Sequence, residues 1–167
     1  KFKIGEDYEK FYSKVFNDKI KIKNSIRYGY TSLNENWGNG HPNIMATRFD
    51  YLRIAKAIMD DYQNDTCVGK YLKELHKRRI PKNLTEERNE PAFNRSKSYG
   101  GQFHMDYPGL KNKIIFGMNG YGGQAILIDM ENSRIVVLNS LHYNNTKYKY
   151  NHKKLLFDVI KKGRWKL

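Results

Sequence analysis

Main-chain N–H groups are the first candidates for chemistry in this chain. It reads Phe116-Gly117-Met118-Asn119-Gly120-Tyr121-Gly122-Gly123-Gln124, with four glycines between positions 117 and 123. Glycine adopts backbone conformations closed to other residues and lets the chain come close to a neighbour or ligand. A glycine-dense turn that runs into an apolar strand turns amide donors toward something small. A bulged hairpin that binds nothing fits the same residues.

Side chains offer less. The five histidines are His41, His76, His104, His142 and His152. His104-Met105-Asp106 sets an imidazole near a carboxylate, but no second pair stands at ligand spacing, so neither a metal nor another cofactor is expected. His104 follows Tyr99-Gly100-Gly101 and is a candidate substrate contact, with a purely structural strand histidine as the alternative. Trp37 and His41 lie in a long polar stretch and are placed to line a cleft. Cys67 is the only cysteine, which excludes an internal disulfide.

Charge raises a different possibility. The net charge is +14 with a pI near 9.7, which calls for a nucleic-acid hypothesis. Against it, lysine outnumbers arginine 22 to 9, whereas phosphate forks favour arginine. Lys19, Lys21 and Lys23 alternate with Ile20 and Ile22 instead of clustering. Tyr148-Lys149-Tyr150 comes nearest to an aromatic-basic binding pattern. No specific nucleic-acid partner is expected, only a general attraction to anionic surfaces. DNA binding should therefore be weak and fall steeply as salt rises. Sub-micromolar, sequence-selective binding at physiological salt, measured by fluorescence anisotropy, would overturn that expectation.

These residues need elements to position them. Tyr8, Phe11, Tyr12 and Val15 recur at helical spacing over residues 6–16, and Lys19 to Asn24 alternates like a short strand. Gly29, Gly38, Gly40 and Pro42 mark residues 28–43 as a long irregular loop. Thr47 then caps a helix, with Asp50 three residues on as a short-armed capping box. The apolar face of that helix is Leu52, Ala55, Ile58, Met59 and Tyr62. A second helix runs from about Val68 to Arg79 and ends at Pro81, before a polar stretch at 82–97. Strands follow at Ser98 to Asp106, Lys113 to Met118, Gln124 to Asp129 and Arg134 to Leu141, with a turn at Glu131-Asn132-Ser133. A closing helix from about Tyr148 to Lys162 presents Leu155, Leu156, Val159 and Ile160. Helices, then an antiparallel meander, then a terminal helix indicate an α+β fold. No run of about 18 apolar residues occurs, so no membrane span is expected.

The order of these pieces resembles the serine β-lactamase-like hydrolases, a superfamily of class C β-lactamases, penicillin-binding proteins, related esterases and 6-aminohexanoate-dimer hydrolase. The resemblance covers roughly residues 4 to 160. It rests on Gly5-Glu6-Asp7-Tyr8-Glu9 through Phe16, on Ala46-Thr47-Arg48-Phe49-Asp50-Tyr51-Leu52, and on Tyr99-Gly100-Gly101-Gln102-Phe103-His104. It continues through Met118-Asn119-Gly120-Tyr121, Gly123-Gln124, and Ile128-Asp129-Met130-Glu131 to Val136-Val137-Leu138.

The resemblance implies that Tyr121 supplies a backbone N–H to an oxyanion hole. Met118, Asn119, Gly120 and Gly122 then form the substrate edge, joined by Trp37 and His104 as cleft residues. Where β-lactamases have Lys-Thr-Gly this chain has Met118-Asn119-Gly120, so an ester, amide or peptide fits better than a β-lactam. Met118 is also compatible with a residue that simply packs inward. The family nucleophile, the Ser of Ser-x-x-Lys, is absent: no serine from Ser13 to Ser140 has lysine three places on. Tyr62-Gln63-Asn64 spells the family's Tyr-x-Asn but falls in an expected helix, on the wrong side of the Ala-Thr match. The resemblance thus implies the C-terminal part of a longer hydrolase, completed by an N-terminal segment or partner chain, and an exported or periplasmic setting. Residues 1–97 are expected as a mainly helical portion and 98–167 as the sheet with its helix, together one incomplete catalytic domain. A non-catalytic module on the same fold is the alternative, and a basic nucleic-acid-binding protein the third.

Overall fold

The computed structural model describes residues 10–24, 26–31, 41–82, 96–110, 112–119, 124–139 and 152–162. The chain divides into two compact units, Lys1–Ile54 and Ala55–Leu167.

In the first unit, residues 10–12 are helical and lead into a π-helix at Ser13–Lys19. The Tyr12 and Phe16 rings stack at 4.8 Å. The strand expected over Lys19 to Asn24 does not form. Ile20 N–H and Ile22 N–H donate back to Val15 O and Phe16 O, each at 3.0 Å, and Lys21 takes a left-handed φ of 62°. Its alternation of lysine and isoleucine belongs to a turning chain.

The loop expected at 28–43 is corrected at its two ends, while residues 32–40 lie outside the described residues. β1 (Arg27–Thr31) and β2 (His41–Met45) pair antiparallel, from Arg27↔Met45 to Thr31↔His41. Tyr28, Tyr30, Thr31 and Ile44 carry strand preference that the glycine count hid. Pro42 is tolerated because every strand of a two-stranded ribbon is an edge.

Helix α1 (Arg48–Gln63) starts with the N-cap half of the box: Asp50 N–H donates to Thr47 Oγ1 at 3.2 Å, and the Thr47 hydroxyl donates to the Asp50 carboxylate at 2.8 Å. Leu52, expected on its apolar face, is 42% exposed.

In the second unit, Ala55 and Met59 of α1 are buried. Helix α2 (Cys67–Lys77) is capped by Thr66, whose side chain accepts from Gly69 N–H at 3.1 Å. A Cβ at position 69 would lie 1.9 Å from the Asp61 carbonyl oxygen, so only glycine lets the two helices meet there.

The sheet is six-stranded and antiparallel, in the order β3 (Ile80–Pro81), β4 (Ser98–Gly100), β5 (Phe103–Met105), β6 (Ile115–Asn119), β7 (Ala125–Asp129), β8 (Arg134–Leu138). Pro81 sits in the edge strand, where a missing donor costs least. The single strand expected over Ser98 to Asp106 is a tight hairpin. Gly101 and Gln102 both have positive φ, 54° and 71°, as a two-residue primed turn demands.

Every residue of β7 is buried, between β6 and the edge strand β8. On one face helix α3 (His152–Lys162) sends Leu156, Phe157 and Ile160 onto Tyr107, Leu110, Ile115, Ala125 and Leu127. The Arg134 guanidinium holds the C-terminal end of α3 by donating to Ile160 O at 2.9 Å and Lys161 O at 2.6 Å. On the other face Phe116 meets the rings of Tyr62, His76 and Phe103. Gln63 joins α1 to the β7–β8 turn through Met130 O, at 2.9 Å. The fold is α+β: helices beside an antiparallel sheet backed by its C-terminal helix.

Candidate functional site at the end of β6

β6 is the strand that leads to the glycine-dense segment 120–123, which lies outside the described residues. It pairs along its whole length with β7, from Ile115↔Asp129 to Asn119↔Ala125. Against β5 the register is His104↔Gly117. Side chains alternate along a strand and directly paired residues share a face. Ile115, Gly117 and Asn119 therefore lie on the α3 face together with His104. Phe116 and Met118 lie on the face of α1 and α2. Asn119 is exposed and Met118 half-buried. Met118, Asn119 and His104 thus do not converge on one surface: the strand separates Met118 from the other two. Trp37, Gly120, Tyr121 and Gly122 lie outside the described residues.

Gly117 has a steric reason to be glycine. A Cβ there would sit 2.0 Å from the hydroxyl oxygen of Tyr107. Burial pushes the Tyr107 pKa far above the ordinary phenol value, and the nearby Asn119 side chain offsets part of this. No hydrogen bond of normal geometry closes on the hydroxyl. The phenol is therefore neutral throughout the working pH range.

His104 meets partners that no motif announced. Its Nδ1 lies 2.7 Å from Lys82 Nζ and 3.0 Å from Ser96 Oγ, and Lys82 also donates to Ser96. The Tyr99 ring packs edge-on to the imidazole at 5.1 Å. With the ammonium donating, Nδ1 accepts and the ring proton belongs on Nε2. A serine, a lysine and a histidine in mutual contact are the ingredients of an activated nucleophile. Here Ser96 is only 5% exposed, and its hydroxyl is engaged on both sides. The trio fastens the chain entering β4 and the middle of β5 to the end of β3, and His104 is a member of that fastening. Lys82 and Ser96 are 14 residues apart in sequence, a separation that carries no local signal.

A second polar group secures the other side of this hairpin. Asp106 accepts from Arg79 Nε at 2.5 Å and from Ser98 Oγ at 2.6 Å. Burial raises its carboxyl, and these two donors outweigh burial to hold it below the usual carboxylate range. His76 is pushed down by burial and by the Arg79 charge, with Asp106 opposing in part. At the β7–β8 turn, buried Asp129 is raised by desolvation but lowered overall by Lys113 at 2.7 Å and by Asn132. These carboxylates are structural anchors. Among the described residues no group of histidine, cysteine and carboxylate side chains is arranged to hold a metal ion. Nor is any described helix long and apolar enough to cross a membrane.

Comparison with family models, with curated proteins and with solved structures returned no match.

Proposed function

We propose that this chain supplies the C-terminal part of a β-lactamase-like serine hydrolase acting on an ester, amide or peptide. The observation that carries the proposal is the β6–β7 hairpin. A paired strand ends in Met118-Asn119, a glycine-dense connection follows, and the returning strand is wholly buried in a sheet backed by a C-terminal helix. That element order is the one the resemblance requires. Among the described residues, the outer edge of β8 pairs with no further strand, which leaves room for strands contributed from elsewhere.

Acyl transfer needs a nucleophile, a base and donors already in place for the charge that develops on the carbonyl oxygen. In this proposal a Ser-x-x-Lys segment provides the first two together with one donor. The Tyr121 backbone N–H provides the second donor, and the exposed Asn119 side chain borders the bound acyl group. Met118 puts a thioether where a β-lactamase holds a substrate carboxylate with lysine, so the specificity lies with neutral acyl groups.

The 167-residue chain should therefore stay unlabelled by a fluorophosphonate probe and should not hydrolyse a chromogenic ester. The product of the reading frame extended upstream of Lys1 should label at the serine of a Ser-x-x-Lys and turn over the ester. Stoichiometric labelling of Ser96, or of any serine from Ser13 to Ser140, would overturn the proposal. So would an extended product that labels nowhere.

A further inference from the structure

The outward face of α2 is both basic and apolar. From Asp65 to Lys82 the chain carries six Lys or Arg against two acids. Arg79 and Lys82 turn into the fold, toward Asp106 and toward Ser96 with His104. Lys73 is occupied by Asp65 at 2.9 Å. Lys70, Lys77 and Arg78 stay exposed. Glu74 is shared by Lys77 at 2.7 Å and Arg78 at 3.5 Å, so it neutralises only one of these two charges.

Apolar surface lies among these cations. Val68 and Tyr71, one helical turn apart, are 45% and 60% exposed. Ile80, in the edge strand β3 that follows, is 70% exposed. The helix has a buried side of its own at Gly69 and Leu72, so Val68 and Tyr71 are not what holds it to the fold. A lone exposed apolar residue needs no explanation, but three along one short basic stretch do.

We propose that this face of α2, with the start of β3, docks on the surface of an anionic phospholipid bilayer. Charge complementarity decides the partner. Three apolar side chains are too few to hold the chain on a neutral bilayer. Each Lys or Arg near an anionic one strengthens binding roughly fivefold. Lysine stems lie along the headgroup region with their ammonium groups at the phosphates, and a tyrosine ring suits the same depth. Nucleic acid fits this face less well. Arg78 is shared with Glu74, the other exposed cations are lysines that cannot fork a phosphate, and a phosphate backbone gives Val68 and Ile80 nothing to bury against. The docking stands apart from the hydrolase proposal and uses none of its residues.

The only cysteine, Cys67, is exposed in the first turn of α2 beside Val68. It takes an environment-sensitive fluorophore at the face itself, with no mutation. The labelled full chain should emit brighter and bluer light with vesicles of phosphatidylcholine and phosphatidylglycerol, and should not respond to phosphatidylcholine alone. About 0.5 M salt should reverse the response. In co-sedimentation of unlabelled protein, Lys70→Gln with Lys77→Gln should weaken binding to the anionic vesicles roughly tenfold or more. Tyr71→Ser should weaken it roughly threefold. Lys10→Gln with Lys14→Gln, exposed lysines of the other unit, removes the same charge and should change binding by less than about twofold. All these positions are exposed, so melting temperatures should match the parent's. Equal losses from the two lysine pairs would reduce the attraction to net charge and overturn the proposal. Co-sedimentation with anionic vesicles that leaves the Cys67 fluorophore unchanged would also overturn it. A fluorophore response to duplex DNA and none to vesicles would give the face to nucleic acid instead.

Discussion

Replacing Tyr121 by proline in the proposed hydrolase should lower turnover by roughly a hundredfold or more, the scale observed when one oxyanion donor is deleted. Tyr121→Ala should stay within about tenfold, because the proposed donor is main chain and survives the change. The contrast between the two isolates the N–H from the phenol side chain. The expectation follows from position: Tyr121 comes directly after Met118-Asn119-Gly120, and Gly122-Gly123-Gln124 follow it before β7. If the N–H acts on the developing oxyanion and not on the ground-state carbonyl, kcat and kcat/KM fall together and KM changes little. Proline also fixes a backbone dihedral, so the variant's melting temperature must match the parent's before its rate is interpreted. A folded Tyr121→Pro enzyme with near-normal turnover would place the hole elsewhere.

The sheet was largely legible because its signals are local. Strands β6, β7 and β8 are apolar runs bounded by glycines or by Glu131-Asn132-Ser133, and they fall within a few residues of expectation. The Thr47–Asp50 box announced α1 for the same reason: donor and acceptor are three residues apart. Where one residue type served two purposes, the sequence misled. Gly101 read as part of a strand, although with Gln102 it makes the turn between two strands. Gly29 and Pro42 read as loop residues, although they lie within a paired ribbon. Gly117 was counted among the glycines of a ligand-facing turn, but the Tyr107 hydroxyl explains it.

The polar clusters were illegible for a different reason. Lys82, Ser96 and His104 meet only because β3, β4 and β5 are adjacent in the sheet, and no spacing rule encodes that. Their meeting also changes the standing of His104. A histidine that looked like a cleft residue is held by a lysine and a buried serine, on the sheet face opposite Met118. Within the hydrolase proposal, the weight therefore shifts to the β6 terminus, where Asn119 shares a face with Gly117.

Acid should weaken the first unit through Asp50, and Asp50→Ala should destabilise it by about 3 kcal/mol or more. The Asp50 side chain is wholly occluded. It accepts from Lys23 N–H at 2.9 Å, Asn24 Nδ2 at 2.8 Å, the Thr47 hydroxyl at 2.8 Å and Arg53 Nη1 at 3.0 Å. Burial raises its pKa, but these four donors together outweigh burial and hold the carboxyl at about 2, against an ordinary 3.8. The folded pKa is thus the lower one, so folding favours the ionised form. The stabilisation is fully present above 3.8 and is lost as the pH falls from there through about 2. The pKa difference corresponds to something on the order of 1–2 kcal/mol, after allowance for the thin layer of protein that covers the group. Alanine costs more than acid because it strands the Lys23 N–H and leaves the Asn24 amide and Arg53 without their shared acceptor. Asp50→Asn keeps the shape and removes the charge; its NH2 must face two of the four donors, so it costs stability at every pH and also erases the acid-dependent component. The melting-temperature gap between the parent and Asp50→Asn, followed from neutrality down to pH about 2, should narrow as the parent's ionised carboxylate is lost. A constant gap between the two across that range would show that Asp50 does not titrate with folding.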